Sequence, residues 1–125
     1  MSNRVLALCL AAFLLPACGD SHESAMDDSL DLMEEMADIV EDIKTSDDAK
    51  AAAKKMKELG DEYVELGKRM KELGDPTKEQ RAELDEKYGA RAKEIQQRLM
   101  TAMVKLQQQY PEAAQALGAA MQKMR

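Results

Sequence analysis

The chain has 125 residues and a net charge of −6; 34% of its residues are charged and 3% are aromatic. This length leaves room for one domain, and an acidic chain without a concentrated basic face is not expected to bind nucleic acid. Ala, Leu, Met, Glu, Lys and Gln dominate, which favours long helices and leaves little material for strands. The composition therefore predicts an all-α fold.

The first 18 residues have the three-part layout of a secretory signal. Arg4 supplies a positive charge, an apolar run extends from Val5 to Leu15, and Pro16-Ala17-Cys18 follows. The apolar run is too short to span about 30 Å of hydrocarbon, so we expect cleavage rather than a retained membrane helix. The only other cysteine, Cys9, also lies in this segment, so no disulfide framework is expected in the folded part.

This leader resembles the signals of bacterial lipoproteins, whose lipobox ends in Leu, a variable residue, Ala or Gly, and Cys. Leu15, Ala17 and Cys18 match it, while Pro16 stands where a small or hydroxylated residue is usual. The resemblance implies cleavage before Cys18, a diacylglyceryl thioether on its sulfur and an acyl chain on its amine. Because each buried methylene contributes about 0.8 kcal/mol, such chains anchor a protein to a membrane. An ordinary cleaved signal with an incidental cysteine is the alternative.

The predicted organisation has three parts. A signal peptide covers residues 1–17, the lipidated cysteine and a flexible polar tether cover 18–25, and a helical bundle covers 26–125. In Gram-negative bacteria of the enteric type, Asp directly after the lipidated cysteine signals retention at the inner membrane. Gly19 occupies that position here, so the resemblance favours the periplasmic side of the outer membrane.

Apolar residues at steps of three and four predict the first two helices. The first begins at Met26, and eight acidic residues and no basic residue fall between positions 27 and 42. Thr45 to Asp47 supply a turn and an N-cap, and the second helix extends from Ala49 to Leu73.

Further break signals delimit the last two helices. Gly74 is suited to end the second helix, and Thr77 with Gln80 predicts a capping box for a third helix that extends to about Gln109. Pro111 either kinks this helix or begins a short fourth one.

The four-residue connection predicts that the second and third helices form a long antiparallel, coiled-coil-like hairpin. Their seams suggest direct pairs such as Leu66 with Tyr88. The shorter first helix is expected to pack on the part of the hairpin farther from the 74–77 connection. Charge complementarity supports this packing, since residues 49–74 and 78–109 each carry seven basic and five acidic side chains.

Ala53, Gly60, Gly67 and Gly74 recur at one heptad position beside the seam. An interior glycine is about 1 kcal/mol less favourable than alanine, so the row predicts close approach of another helix backbone. The alternative is that Gly60 ends the second helix.

No residue pattern points to catalysis. The only histidine, His22, lies in the predicted tether, and the carboxylates fall on polar helix faces. The sequence also has no glycine-rich phosphate loop and no Glu-x-x-His pair. We therefore predict a non-enzymatic protein without a small-molecule substrate.

Three methionine pairs are the candidates for a metal site, because thioethers are suited to Cu(I). Methionine at seam spacing more commonly packs a core or lines an adaptable surface, so the sequence predicts no cofactor besides the lipid on Cys18. The pairs are Met33 with Met36, Met100 with Met103, and Met121 with Met124.

The segment Thr77-Lys78-Glu79-Gln80-Arg81 resembles the Thr-x-x-Gln element of the Spy and CpxP family of periplasmic helical chaperones and metal-stress sensors. That family has Leu before the Thr, where this chain has Pro76, and two copies of the element are usual. The helical part is also similar to small helical bacterial lipoproteins. Two hypotheses follow: an envelope lipoprotein that contacts envelope proteins as a structural or interaction module, or a Spy-like chaperone or metal-stress protein.

Overall fold

The computed structural model describes residues 21–123, which form four helices and no strand. The helices are α1 (His22–Glu41), α2 (Ser46–Leu73), α3 (Lys78–Gln109) and α4 (Pro111–Lys123). The all-α prediction is confirmed, and Pro111 begins a fourth helix instead of kinking the third. The predicted signal peptide, 1–17, and Cys18 lie outside the described residues.

α1 begins earlier than the apolar periodicity indicated. Ser21 is in an extended conformation, and its hydroxyl accepts a hydrogen bond from the Ser24 N–H at 3.0 Å, so it is the N-cap. Ala25, in the first turn, is fully buried. The prediction of a flexible tether is therefore wrong for residues 22–25. Ser21 caps this polar segment, so the segment forms the first turn of α1.

Capping boxes begin α2 and α3. The Thr45 hydroxyl accepts from the Asp48 N–H, and the Asp48 carboxylate accepts from the Thr45 N–H, both at 3.1 Å. Thr77 and Gln80 form the same reciprocal pair, as predicted. The Lys44 N–H also donates to Asp48; this hydrogen bond, followed by the interaction with Thr45, lowers the pKa of the Asp48 carboxyl.

α2 is one continuous helix that ends at Gly74. Gly74 has a φ of +74°, a conformation that glycine adopts without steric strain. The alternative that Gly60 ends the helix is excluded. A Cβ added to Gly60 or Gly67 would meet no atom within 4 Å. The prediction that these glycines allow a close helix approach is therefore wrong.

The two arms of the hairpin are held together by the other two helices. α1 and α4 each pack closely on both α2 and α3, whereas no Cα of α2 lies within 8 Å of a Cα of α3. The predicted pairing of Leu66 with Tyr88 is therefore wrong. The physical reason is that α1 inserts Leu30 beside Tyr88 and Ile95, so these seam residues bury against α1 instead.

α1 begins near the 74–77 connection. We call the end of the bundle that holds this connection the connection end. Glu23 of α1 contacts Lys87, and Asp28 of α1 contacts Arg69, near the last turn of α2. α1 is therefore parallel to α3 and antiparallel to α2. The expectation that α1 covers only the far part of the hairpin is wrong, because α4 already fills much of that part.

Two apolar clusters form the core. Leu30, Tyr88 and Ile95 make the cluster nearer the connection end, and a larger cluster at the opposite end, the base, joins all four helices. No polar or charged side chain in the described part of the chain is buried. Because every buried side chain among the described residues lies between residues 25 and 117, a chain that begins at residue 19 retains all of these side chains and the Ser21 cap. The base cluster consists of Val40, Ile43, Ala49, Ala52, Ala53, Met56, Ala102, Leu106, Ala113 and Leu117.

Candidate functional site

The predicted lipid-attachment residue, Cys18, precedes the described residues, but the point where the chain enters the bundle is defined. Ser21 lies at the connection end, where it lines one cleft together with Gln80 and Leu84 of α3. Residue 18 is three positions before this cap.

His22 and the carboxylates are the residues to consider as metal ligands between residues 21 and 123. His22 is the first residue of α1 and lies partly exposed beside Glu23. Within residues 21–123, no group of three or more His, Cys, Asp or Glu side chains is placed to hold a metal ion. None of the helices there is both long and apolar enough to cross a membrane.

Arg91 pairs with three carboxylates on the acidic face of α1 that adjoins α3. One guanidinium nitrogen of Arg91 donates to Asp27 at 2.9 Å, and the other donates to Glu34 at 3.0 Å and to Asp31. The hydrogen bond to Asp31, followed by that to Glu34, raises the pKa of Arg91 further above its already high value. Its charge is therefore constant at any physiological pH.

Arg98 repeats this arrangement two turns further along α3. Its Nε donates to Glu41 at 3.0 Å, and its Nη2 donates to the other Glu41 oxygen at 2.8 Å and to Asp38 at 2.6 Å. Such bidentate pairing fixes orientation as well as charge. The charge complementarity predicted from the sequence is thus confirmed: α1 pairs with cations of both α2 and α3.

We expect Arg98→Gln to lower the melting temperature more than Lys93→Gln, a matched change at an exposed α3 position. Without the guanidinium, Asp38 and Glu41 lose their cation and repel each other. High salt screens charges at the surface, so the difference between the two variants should shrink as NaCl is raised. Thermal denaturation by circular dichroism measures this, and equal effects of the two changes would contradict it.

α1 and α2 enclose a second feature, an open groove of about 750 Å³ towards the connection end. Its lining includes Leu32 of α1 together with Val64 and Leu66 of α2. Carboxylates surround these apolar side chains, and Arg69 is the only cation in the lining. The acidic residues are Asp28, Asp31, Glu35, Asp61, Glu62 and Glu65. We call this feature the α1–α2 groove.

The structure distributes the candidate copper ligands over different environments. Met33 packs against the cluster nearer the connection end, whereas Met36 packs against the base cluster. Met100 is 63% exposed on α3, and Met103 and Met121 are also exposed. Met124 lies outside the described residues. The first pair therefore contributes to core packing, as methionine commonly does.

The α1–α2 groove is the site that sequence reasoning missed. Two signals pointed to it: the acidic residues of α1 outnumber the arginines of α3 that meet them, and three acids fall in the short stretch 61–65 of α2. The missing information was the packing of α1 against α2. Comparison with models of known families, with curated proteins and with solved structures finds no match to this chain.

Proposed function

We propose that this protein is a non-enzymatic lipoprotein of a bacterial envelope, anchored through Cys18, that acts as a structural or protein-interaction module. The proposal includes the periplasmic face of the outer membrane as its location in a Gram-negative cell. It rests on the lipobox at residues 15–18 and on the character of the folded domain.

The observation that carries the non-enzymatic part is the distribution of charge. All the acidic and basic side chains between residues 21 and 123 lie outside the buried core. Catalysis requires acids, bases or nucleophiles positioned in a site that excludes water. A domain that places its ionisable groups in solvent instead offers surfaces that contact other molecules.

Support for the anchoring part comes from the position of Ser21. The helical domain starts within three residues of Cys18, so a lipid there would hold the connection end close to the membrane. Two or three acyl chains anchor a protein stably, whereas one gives only marginal binding. The base and α4 would then be directed away from the lipid surface.

We expect mass spectrometry of the native protein to find residues 1–17 absent and acyl chains on Cys18. Cys18→Ser should move the protein out of the membrane fraction or leave it as an unprocessed precursor, while Cys9→Ser should change neither mature mass nor fractionation. A soluble, unmodified mature protein that starts at another residue would contradict the proposal. Crosslinking in the native envelope then identifies the proteins it contacts.

A second candidate function, a Spy-like chaperone, is favoured by one observation: α2 exposes apolar side chains at Tyr63 (51% exposed), Val64 and Met70. Chaperones offer such surfaces to unfolded chains. The Thr77–Gln80 element counts less, since both side chains already serve the α3 capping box. The methionines would serve a metal-stress function only if they bound copper.

We expect residues 19–125 not to suppress aggregation of an unfolded client at equimolar ratio, because Tyr63, Val64 and Met70 stand between charged residues of α2. Light scattering during client refolding measures this. Suppression that is lost in Tyr63→Ser/Met70→Ser would favour the chaperone. Truncation after Tyr110 is unsuitable as a test, since it removes Ala113 and Leu117 from the core.

A further inference from the structure

The α1–α2 groove has an apolar floor that is open to solvent. Leu32 is partly exposed and Val64 is 58% exposed, whereas Leu66, which also lines the groove, is 3% exposed. Only α1 and α2 contribute to the lining, so neither α3 nor α4 covers it. Removing apolar surface from water contributes about 25 cal/mol per Å², so a ligand with apolar side chains would gain free energy here.

Half of the six carboxylates on the rim of the groove have no cation within 4 Å among the described residues. Asp28 pairs with Arg69, Asp31 with Arg91, and Glu65 with Lys68. By contrast, no Lys or Arg nitrogen between residues 21 and 123 lies within 4 Å of the carboxylates of Glu35, Asp61 or Glu62. These three side chains stand on both walls of the groove and give it a negative potential.

The charges and the shape together specify the chemistry of the occupant. Carboxylates at 61, 62 and 65 lie on neighbouring turns of α2, where like charges destabilise each other slightly. Cationic side chains laid along the rim would relieve that repulsion. A metal ion would need converging ligands, and no such group is present in the described residues. An apolar floor between acidic walls instead matches a segment with Lys or Arg on its edges and Leu-like side chains between them.

We propose that the α1–α2 groove binds a basic amphipathic segment of a partner protein. This names the partner class of the interaction module proposed above, and it rests on that proposal. The apolar side chains of the segment contact Leu32 and Val64, and its cations face Glu35, Asp61 and Glu62. The groove lies towards the connection end, so a partner close to the membrane surface would reach it.

The test measures binding of a fluorescent amphipathic peptide of Lys, Leu and Ala, about 14 residues or about 20 Å of helix long, to residues 19–125. Fluorescence anisotropy should show saturable binding. Glu35→Gln/Asp61→Asn/Glu62→Gln should weaken it about tenfold, and Val64→Ser about threefold. The matched control, Glu79→Gln/Glu83→Gln/Glu94→Gln, removes three exposed carboxylates of α3 and should bind as the unchanged protein does.

Every substitution lies at a surface or rim position, and circular dichroism reports whether each variant keeps its melting temperature. Absence of saturable binding would overturn the proposal, as would equal weakening in the groove variant and the control variant. Equal affinity for a peptide in which Glu replaces every Lys would do the same. A dimer in sedimentation that dissociates only in the groove variant would assign the groove to a second copy of the chain instead. The peptide test does not involve Cys18, so its failure is distinguishable from a failure of membrane anchoring.

Discussion

Leu106→Ala is expected to destabilise residues 19–125 by about 2–5 kcal/mol, the range for a large apolar side chain removed from a core. Leu106 belongs to the base cluster and is 2% exposed. It lines a small cavity with Val40, near the end of α1, and Ile43, in the segment between α1 and α2. α1, α3 and α4 all contribute side chains to this cluster. α2 contributes Ala52 and Met56 as well, so Leu106→Ala leaves a void where all four helices meet.

Thermal and urea denaturation followed by circular dichroism measure the loss. Because small domains have a total stability of about 5–15 kcal/mol, the variant should unfold at a markedly lower temperature. Leu106→Met keeps most of the volume and should lose less than about 1.5 kcal/mol. Met100→Ala, at an exposed position of the same helix, should change stability by less than about 0.5 kcal/mol. Equal effects of Leu106→Ala and Met100→Ala would contradict the packing at the base.

Ala53 and Gly67 occupy the same heptad position of α2, but replacing each with leucine should change the free energy of unfolding in opposite directions. Ala53 is fully buried in the base cluster with Ala113 and Leu117 of α4, so Ala53→Leu overpacks that contact and should destabilise by about 1–3 kcal/mol. Gly67 is exposed two heptads further along α2, with open space where a Cβ would stand. Gly67→Leu therefore raises helix propensity and should stabilise by up to about 1 kcal/mol.

The same denaturation experiment measures both variants, and Gly67→Ala is the control for added apolar surface at that position. Both glycine replacements should raise the melting temperature to a similar extent. If Gly67→Leu lowered it while Gly67→Ala raised it, a helix or partner would have to approach α2 at this point. A stable Ala53→Leu variant would show that α4 does not pack tightly on α2.

Local features could be predicted from the sequence because they depend on residues a few positions apart. Thr77 and Gln80 form a capping box, Gly74 ends α2, and Pro111 starts α4, each through backbone geometry that neighbouring residues determine. The start of α1 was missed because Ser21 caps a polar first turn, which apolar periodicity does not detect. The charge balance also predicted correctly that α1 contacts both other long helices.

The arrangement of those helices was decided by the tertiary structure. The seam of α2 that contains Leu66 can be buried by any helix with a matching apolar face, and periodicity does not say which one. α1 and α4 pack between the two arms of the hairpin instead. α1 supplies the apolar side chains Leu30 and Val40, and its carboxylates pair with Arg91 and Arg98 of α3. α2 does not approach α3 as closely. The sequence thus allowed the caps of α2 and α3, the end of α2 and the start of α4 to be predicted, but not the start of α1. Competition among apolar and charged faces in three dimensions determined which faces are buried, and hence that the α1–α2 groove stays open.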